Sequence, residues 1–123
     1  MTTNAKQVVL SACVELLRLA DEGKVRSPKC GICHNIDDQL YIDSGYDHEV
    51  YADAADFFDR IVACEIWPRW PKFSGSMSYP IPGDSAAYWS LREGGHWKGE
   101  QGQLRRELLE FTIEQLNEVY HDY

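Results

Sequence analysis

At 123 residues the chain has the length of one domain, and its 44% hydrophobic content is enough to bury a core, which excludes a disordered chain. The net charge of −8 argues against direct binding to DNA or RNA, which calls for a basic face. No apolar run reaches the length of a membrane span, so no membrane association is expected.

The first segment, "NAKQVVLSACVELLRLADEG", carries Val9, Cys13, Leu16, Leu17 and Ala20 at helical spacing. It predicts a helix from about Asn4 to Glu22, capped by Thr3 or Asn4 and ended by Gly23. Ser11, Glu15 and Arg18 interrupt the apolar residues, so the segment does not read as a signal peptide. A cytosolic location is expected, in the host cell once the resemblance below is considered. The four cysteines should then stay reduced. Cys13 lies on the apolar stripe and reads as a packed thiol.

A basic connector from Lys24 to Lys29, broken by Pro28, leads to "CGICH" at residues 30–34. The C-x-x-C-H spacing is that of a c-type haem attachment site, and Cys30 with Cys33 is half of a zinc site. A second ligand pair is missing, because Cys13 and Cys64 fall on helix faces. The expectation is therefore no cofactor and no metal, with Cys30 and Cys33 as the metal ligands if one is held. Cys33 beside His34, His48, His96 or His121 can be written as a nucleophile and base, yet no spacing selects one pair.

Ile32 and Cys33 open a short helix. Leu40-Tyr41-Ile42 reads equally as a strand or a helix end, and a short hairpin over residues 40–52 is one expectation, with a turn at Gly45. The acidic run Asp37, Asp38, Asp43, Asp47, Glu49 and Asp53 lacks the regular spacing of a calcium loop and reads as a solvated face. A clear helix is predicted from about Asp53 to Ile66, capped by Asp53 and stopped by Pro68. Phe57, Phe58, Ile61, Val62 and Ile66 form its apolar face, with Cys64 beside them.

The composition changes at "WPRWPKFSGSMSYPIPG", which holds four of the five prolines and shows no periodicity. So long a loop in a small domain is usually functional or ordered by its own side chains. A short helix over about Asp84 to Arg92 and a last helix over about Gly102 to Tyr120 complete the chain. The fold expected is a single domain, residues 1–123, mainly α or α+β. It is a compact bundle of about four helices with a long ordered aromatic and proline-rich loop and at most one short hairpin.

Flat rings, hydroxyls and cations gather in two stretches. Trp70, Phe73, Ser74 and Tyr79 lie in the loop; Trp97, Arg105 and Arg106 lie at the start of the last helix. Rings stack bases, and a helix N-terminus favours anions. These seven residues are the candidate ligand site for a small anionic molecule. The alternative is that they fill the core or contact a protein partner.

"GICHN", "WPKFSGSMSYPIP" and "WKGEQGQLRRELLEFTIEQL" together resemble a family of small phage and prophage proteins, over roughly residues 31–120. The shared pattern is Gly-aliphatic-Cys, then Phe-Ser-Gly with Tyr-Pro-x-Pro, then W-x-G-x-x-G-x-x-R-x-x-L-L. Its cysteine corresponds to Cys33, whereas Cys30 and His34 lie outside it. The resemblance implies a setting and no catalytic residue. Small phage proteins often counter host defence by sequestering a nucleotide signal or by blocking a host protein. The function expected is a non-enzymatic phage-type accessory protein that binds a small anionic, nucleotide-like molecule. The alternatives are an acidic protein–protein inhibitor of a host protein and a small zinc-binding protein.

Overall fold

A computed structural model describes residues 4–77, 79–82 and 97–118. These residues form four α-helices and no strand, so the chain is mainly α. The order is α1 (Ala5–Asp21), α2 (Ile32–Asp43), α3 (His48–Phe57) and α4 (Gly99–Glu118). A π-helical segment (Phe58–Ile66) and a single 3₁₀ turn (Trp67–Arg69) extend α3 without a break. The helix expected over Asp84 to Arg92 lies outside the described residues.

The central helix is α1, which packs against α2, α3 and α4. Its boundaries follow the local chemistry. The Asn4 side chain accepts from the Gln7 N–H at 3.2 Å, and Gly23 takes the left-handed conformation (φ 69°) that ends the helix. Val8, Val9, Ala12, Cys13, Leu16, Leu19 and Ala20 are buried along it. Burial pushes the Cys13 thiol up to about 12, so at neutral pH it is a packed apolar group rather than a nucleophile.

Three expectations need correction. Residues 40–52 form no hairpin: Leu40, Tyr41 and Ile42 are the last turn of α2. The buried positions of that helix are Ile32, Asn35, Ile36, Gln39 and Leu40. Two of the five are polar, which hides the helical period from a hydrophobicity reading. The Asn35 amide explains its own burial. It donates to the carbonyls of Ser27, Cys30 and Gly31 at 2.9–3.2 Å and accepts from the Ser27 N–H at 3.1 Å, latching the connector onto the helix.

The second correction concerns α3, which begins at His48 rather than Asp53. Asp47 is the cap, accepting from the N–H groups of Glu49 at 2.9 Å and Val50 at 3.1 Å. The first turn opens on the exposed polar pair His48 and Glu49, with Val50 and Tyr51 only half-buried, so no continuous apolar stripe announces it.

The third is the winding after Phe57. In an α-helix nine residues make about two and a half turns, which would put Phe58 and Trp67 on opposite faces. The wider π turn brings both inward instead. Their rings meet edge to face at 5.3 Å. Ile61, Val62 and Ile66 stay buried, while Cys64, expected on this face, turns out to solvent. Trp67 is fully buried, and its indole N–H donates to the Thr112 hydroxyl of α4 at 3.0 Å.

Candidate functional site

The last helix opens at Gly99, a turn earlier than its apolar pattern suggests. Gly99 has φ 61°, which a side chain would disfavour. Gly102 faces the Trp97 backbone so closely that a Cβ there would stand 2.3 Å from the Trp97 carbonyl oxygen. Three residues further on, the Arg105 guanidinium lies over the Trp97 ring, 5.8 Å from its centroid. The W-x-G-x-x-G-x-x-R spacing thus folds the start of α4 around its own tryptophan.

Two further hydrogen bonds tie this fold to distant stretches of the chain. The Trp97 indole N–H donates to the Cys30 carbonyl at 3.0 Å. Arg105 donates to the Gln101 carbonyl and to its side-chain oxygen at 3.0 and 3.1 Å, and the Gln101 amide donates to the Pro82 carbonyl at 2.9 Å. The Cys33 thiol faces the Met77 carbonyl at 4.0 Å. Three stretches far apart in sequence meet in one junction.

The seven candidate ligand residues are placed as follows. Trp70, Trp97 and Arg105 are buried, Arg105 completely. Phe73 is half-buried against the core. Ser74 and Tyr79 are exposed, but Ser74 uses its hydroxyl on the Tyr79 carbonyl and its N–H on the Pro80 carbonyl at 3.0 Å. The Tyr79 N–H in turn donates to the Ser76 hydroxyl at 3.3 Å, so the loop closes on itself. Arg106 sits at the other end of α1, pairing with Asp21 at 3.2 Å and donating to the Ala20 carbonyl at 3.3 Å. Trp97 is joined to Arg105 and Ser74 to Tyr79; Arg106 stands apart. Both arginines lie beyond the first turn of α4, where the field of the helix terminus has fallen away. Two cations of the aromatic loop are also engaged: Lys72 pairs with Glu107 at 3.0 Å and Arg69 donates to the Glu65 carbonyl at 3.0 Å.

For the metal reading, no three His, Cys, Asp or Glu side chains gather into a cation-holding group among the described residues. The Cys30 carbonyl is taken by Trp97 and Asn35.

The exposed chemistry lies elsewhere, at the corner where α2 meets α3. Residues 30–59 contain eight carboxylates and no lysine or arginine, which equals the whole net charge of the chain. Asp37, Asp47 and Glu49 are exposed there, and Asp53, Asp56 and Asp59 are exposed further along α3 and its π extension, Asp56 pairing with Arg60 at 2.8 Å. The corner also carries an aromatic group. Tyr41 meets Tyr46 at 5.2 Å, Tyr51 at 5.4 Å and His48 at 5.9 Å between ring centres, the two tyrosines edge-on. Tyr46 is held in the left-handed conformation (φ 62°) and is 61% exposed. A non-glycine residue there is under strain, and strain of this kind concentrates at working surfaces.

Between the rings and the carboxylates is a recess of about 550 Å³, lined by Asp37, Asp38, Tyr41, Ile42, His48 and Tyr51, with Arg26 at one side. The Tyr51 hydroxyl donates to Asp37 at 2.5 Å. That hydrogen bond, with partial burial and the Asp37 charge, pushes the phenol up to about 12 and keeps it a neutral donor. Asp38 pairs with His34 at 3.3 Å. The signal for this corner was present in the sequence as a thirty-residue stretch without lysine or arginine. Counting charges over the whole chain conceals it.

No helix among the described residues is long and apolar enough to cross a membrane. Comparison with protein-family models, with curated proteins and with solved structures finds no match.

Proposed function

We propose that this chain is a non-enzymatic accessory protein of the phage type that blocks a host protein by docking its acidic α2–α3 face on a basic surface. The supporting observation is the charge distribution: the full net charge of −8 is concentrated in residues 30–59, and the rest of the chain is balanced. Such a face steers a basic partner into contact and repels anions. Of the residues that would have met a nucleotide, Trp97 and Arg105 are engaged with each other, Arg106 is engaged at the end of α1, and Trp70 is buried.

Neutralising exposed carboxylates tests the reading. The variant Glu49→Gln/Asp53→Asn/Asp59→Asn keeps size and helix, and its melting temperature should stay close to that of the native chain. Immobilised native chain should retain a basic host protein at about 0.05 M salt and release it at about 0.5 M, where charges are screened within a few ångströms. The variant should retain at least tenfold less. Equal retention by both chains would overturn the proposal. A nucleotide that raises the melting temperature by several degrees would return the anionic-ligand reading to first place.

A further inference from the structure

The recess at the α2–α3 corner is more specific than the charge around it. Its walls are rings as well as carboxylates: Tyr41 and Tyr51 stand edge to face, with His48 beside them and Asp37 and Asp38 at the rim. A carboxylate alone attracts any cation. Ring faces beside carboxylates select a flat, weakly hydrated one, because a guanidinium can stack on a ring while its N–H groups fork onto an oxygen pair. We infer that the recess is the seat of one arginine side chain of the basic partner. This rests on the docking reading proposed above.

Three features of the corner suit that occupant. A volume of about 550 Å³ admits a guanidinium with part of its stem. The rings are pre-positioned: Tyr51 is tethered to Asp37 through its hydroxyl, and Tyr46 packs edge-on against Tyr41 from the strained turn after α2. Asp37 keeps acceptor capacity after receiving the Tyr51 hydroxyl, since a carboxylate has about four lone-pair sites. The opposing charge is Arg26, which also lines the neighbouring groove beside Glu15 and Asp43. Asp37 and Asp38 outweigh it locally, and the surrounding carboxylates add to the attraction.

The test compares two short peptides, one all lysine and one with a central lysine replaced by arginine, titrated against the full chain. The native chain should bind the arginine peptide about fivefold more tightly, the range of a partly desolvated cation–π contact. Tyr41→Leu removes the ring face and should abolish that preference, the two peptides then binding equally. Asp37→Asn, isosteric and at an exposed position, should reduce the preference in the same direction and carries the test if Tyr41→Leu does not fold. Equal affinity of the native chain for the two peptides, or a preference that survives both substitutions, would overturn the arginine seat while leaving the acidic docking face standing. Failure of both peptides to bind would overturn the arginine seat and the acidic docking face together.

Discussion

Trp67→Ala should lower the unfolding free energy by about 3–5 kcal/mol, a large part of what holds a domain of this size together. The side chain is fully buried, stacks edge-on with Phe58 and donates to Thr112 across the interface with α4. Alanine would leave a cavity where the π segment, the 3₁₀ turn and the last helix meet. Two milder variants separate the contributions. Trp67→Phe keeps most of the apolar volume and loses the hydrogen bond. Thr112→Val leaves the indole N–H buried without its acceptor, at about 1–3 kcal/mol. Urea unfolding of the three variants checks this ordering. If Trp67→Ala cost less than about 1 kcal/mol, the inward turn of Trp67 by the π winding would be wrong, since deleting a buried tryptophan is among the most costly core substitutions.

Gly102→Ala should destabilise by about 1–3 kcal/mol or more, and here the sign decides between two accounts. On helix propensity alone, alanine in place of an interior glycine gains about 1 kcal/mol. The geometry says the opposite, because the new methyl would fall 2.3 Å from a backbone oxygen of Trp97 that cannot swing aside like a side chain. Pushing Trp97 away also weakens its bond to the Cys30 carbonyl and the stacking of Arg105. Melting temperature is the readout. A rise on Gly102→Ala would show that the start of α4 does not wrap Trp97 as described.

These two positions also mark how far the sequence could be read. The apolar stripe of α1 and both its ends were legible, because Val9, Cys13 and Leu16 repeat at helical spacing between an asparagine cap and a glycine stop. The mainly α architecture was legible for the same reason. The extent of α2 was not, since Asn35 and Gln39 occupy core positions and break the hydrophobic pattern. Nor was the π winding, because Phe57, Phe58, Ile61, Val62 and Ile66 satisfy a 3.6 period nearly as well. Only the exposure of Cys64 and the burial of Trp67 reveal the difference.

The candidate site divides in the same way. Trp97 and Arg105 do form a cation–π pair, as a ring and a cation gathered for binding would, but they meet each other in the interior. Sequence shows which residue types recur near one another and cannot show which way they face. Arg106 illustrates this most simply: adjacent to Arg105, it reaches α1 instead, where it pairs with Asp21. In the sequence alone the acidic run reads as a solvated face. Its meaning changes once α2 and α3 bring Tyr41, His48 and Tyr51 together beside it.

The division between an interior junction and an exposed acidic face is tested most directly by amide chemical-shift mapping of the isotope-labelled full chain. The chain is titrated first with an arginine-bearing lysine peptide and then with a mononucleotide. The account predicts saturable peptide-induced shifts concentrated between His34 and Asp59, strongest around Tyr41 and Tyr51, and no saturable shifts with the nucleotide. Saturable nucleotide shifts centred on Trp70, Phe73, Tyr79 and Trp97, with the α2–α3 corner unmoved by the peptide, would contradict it.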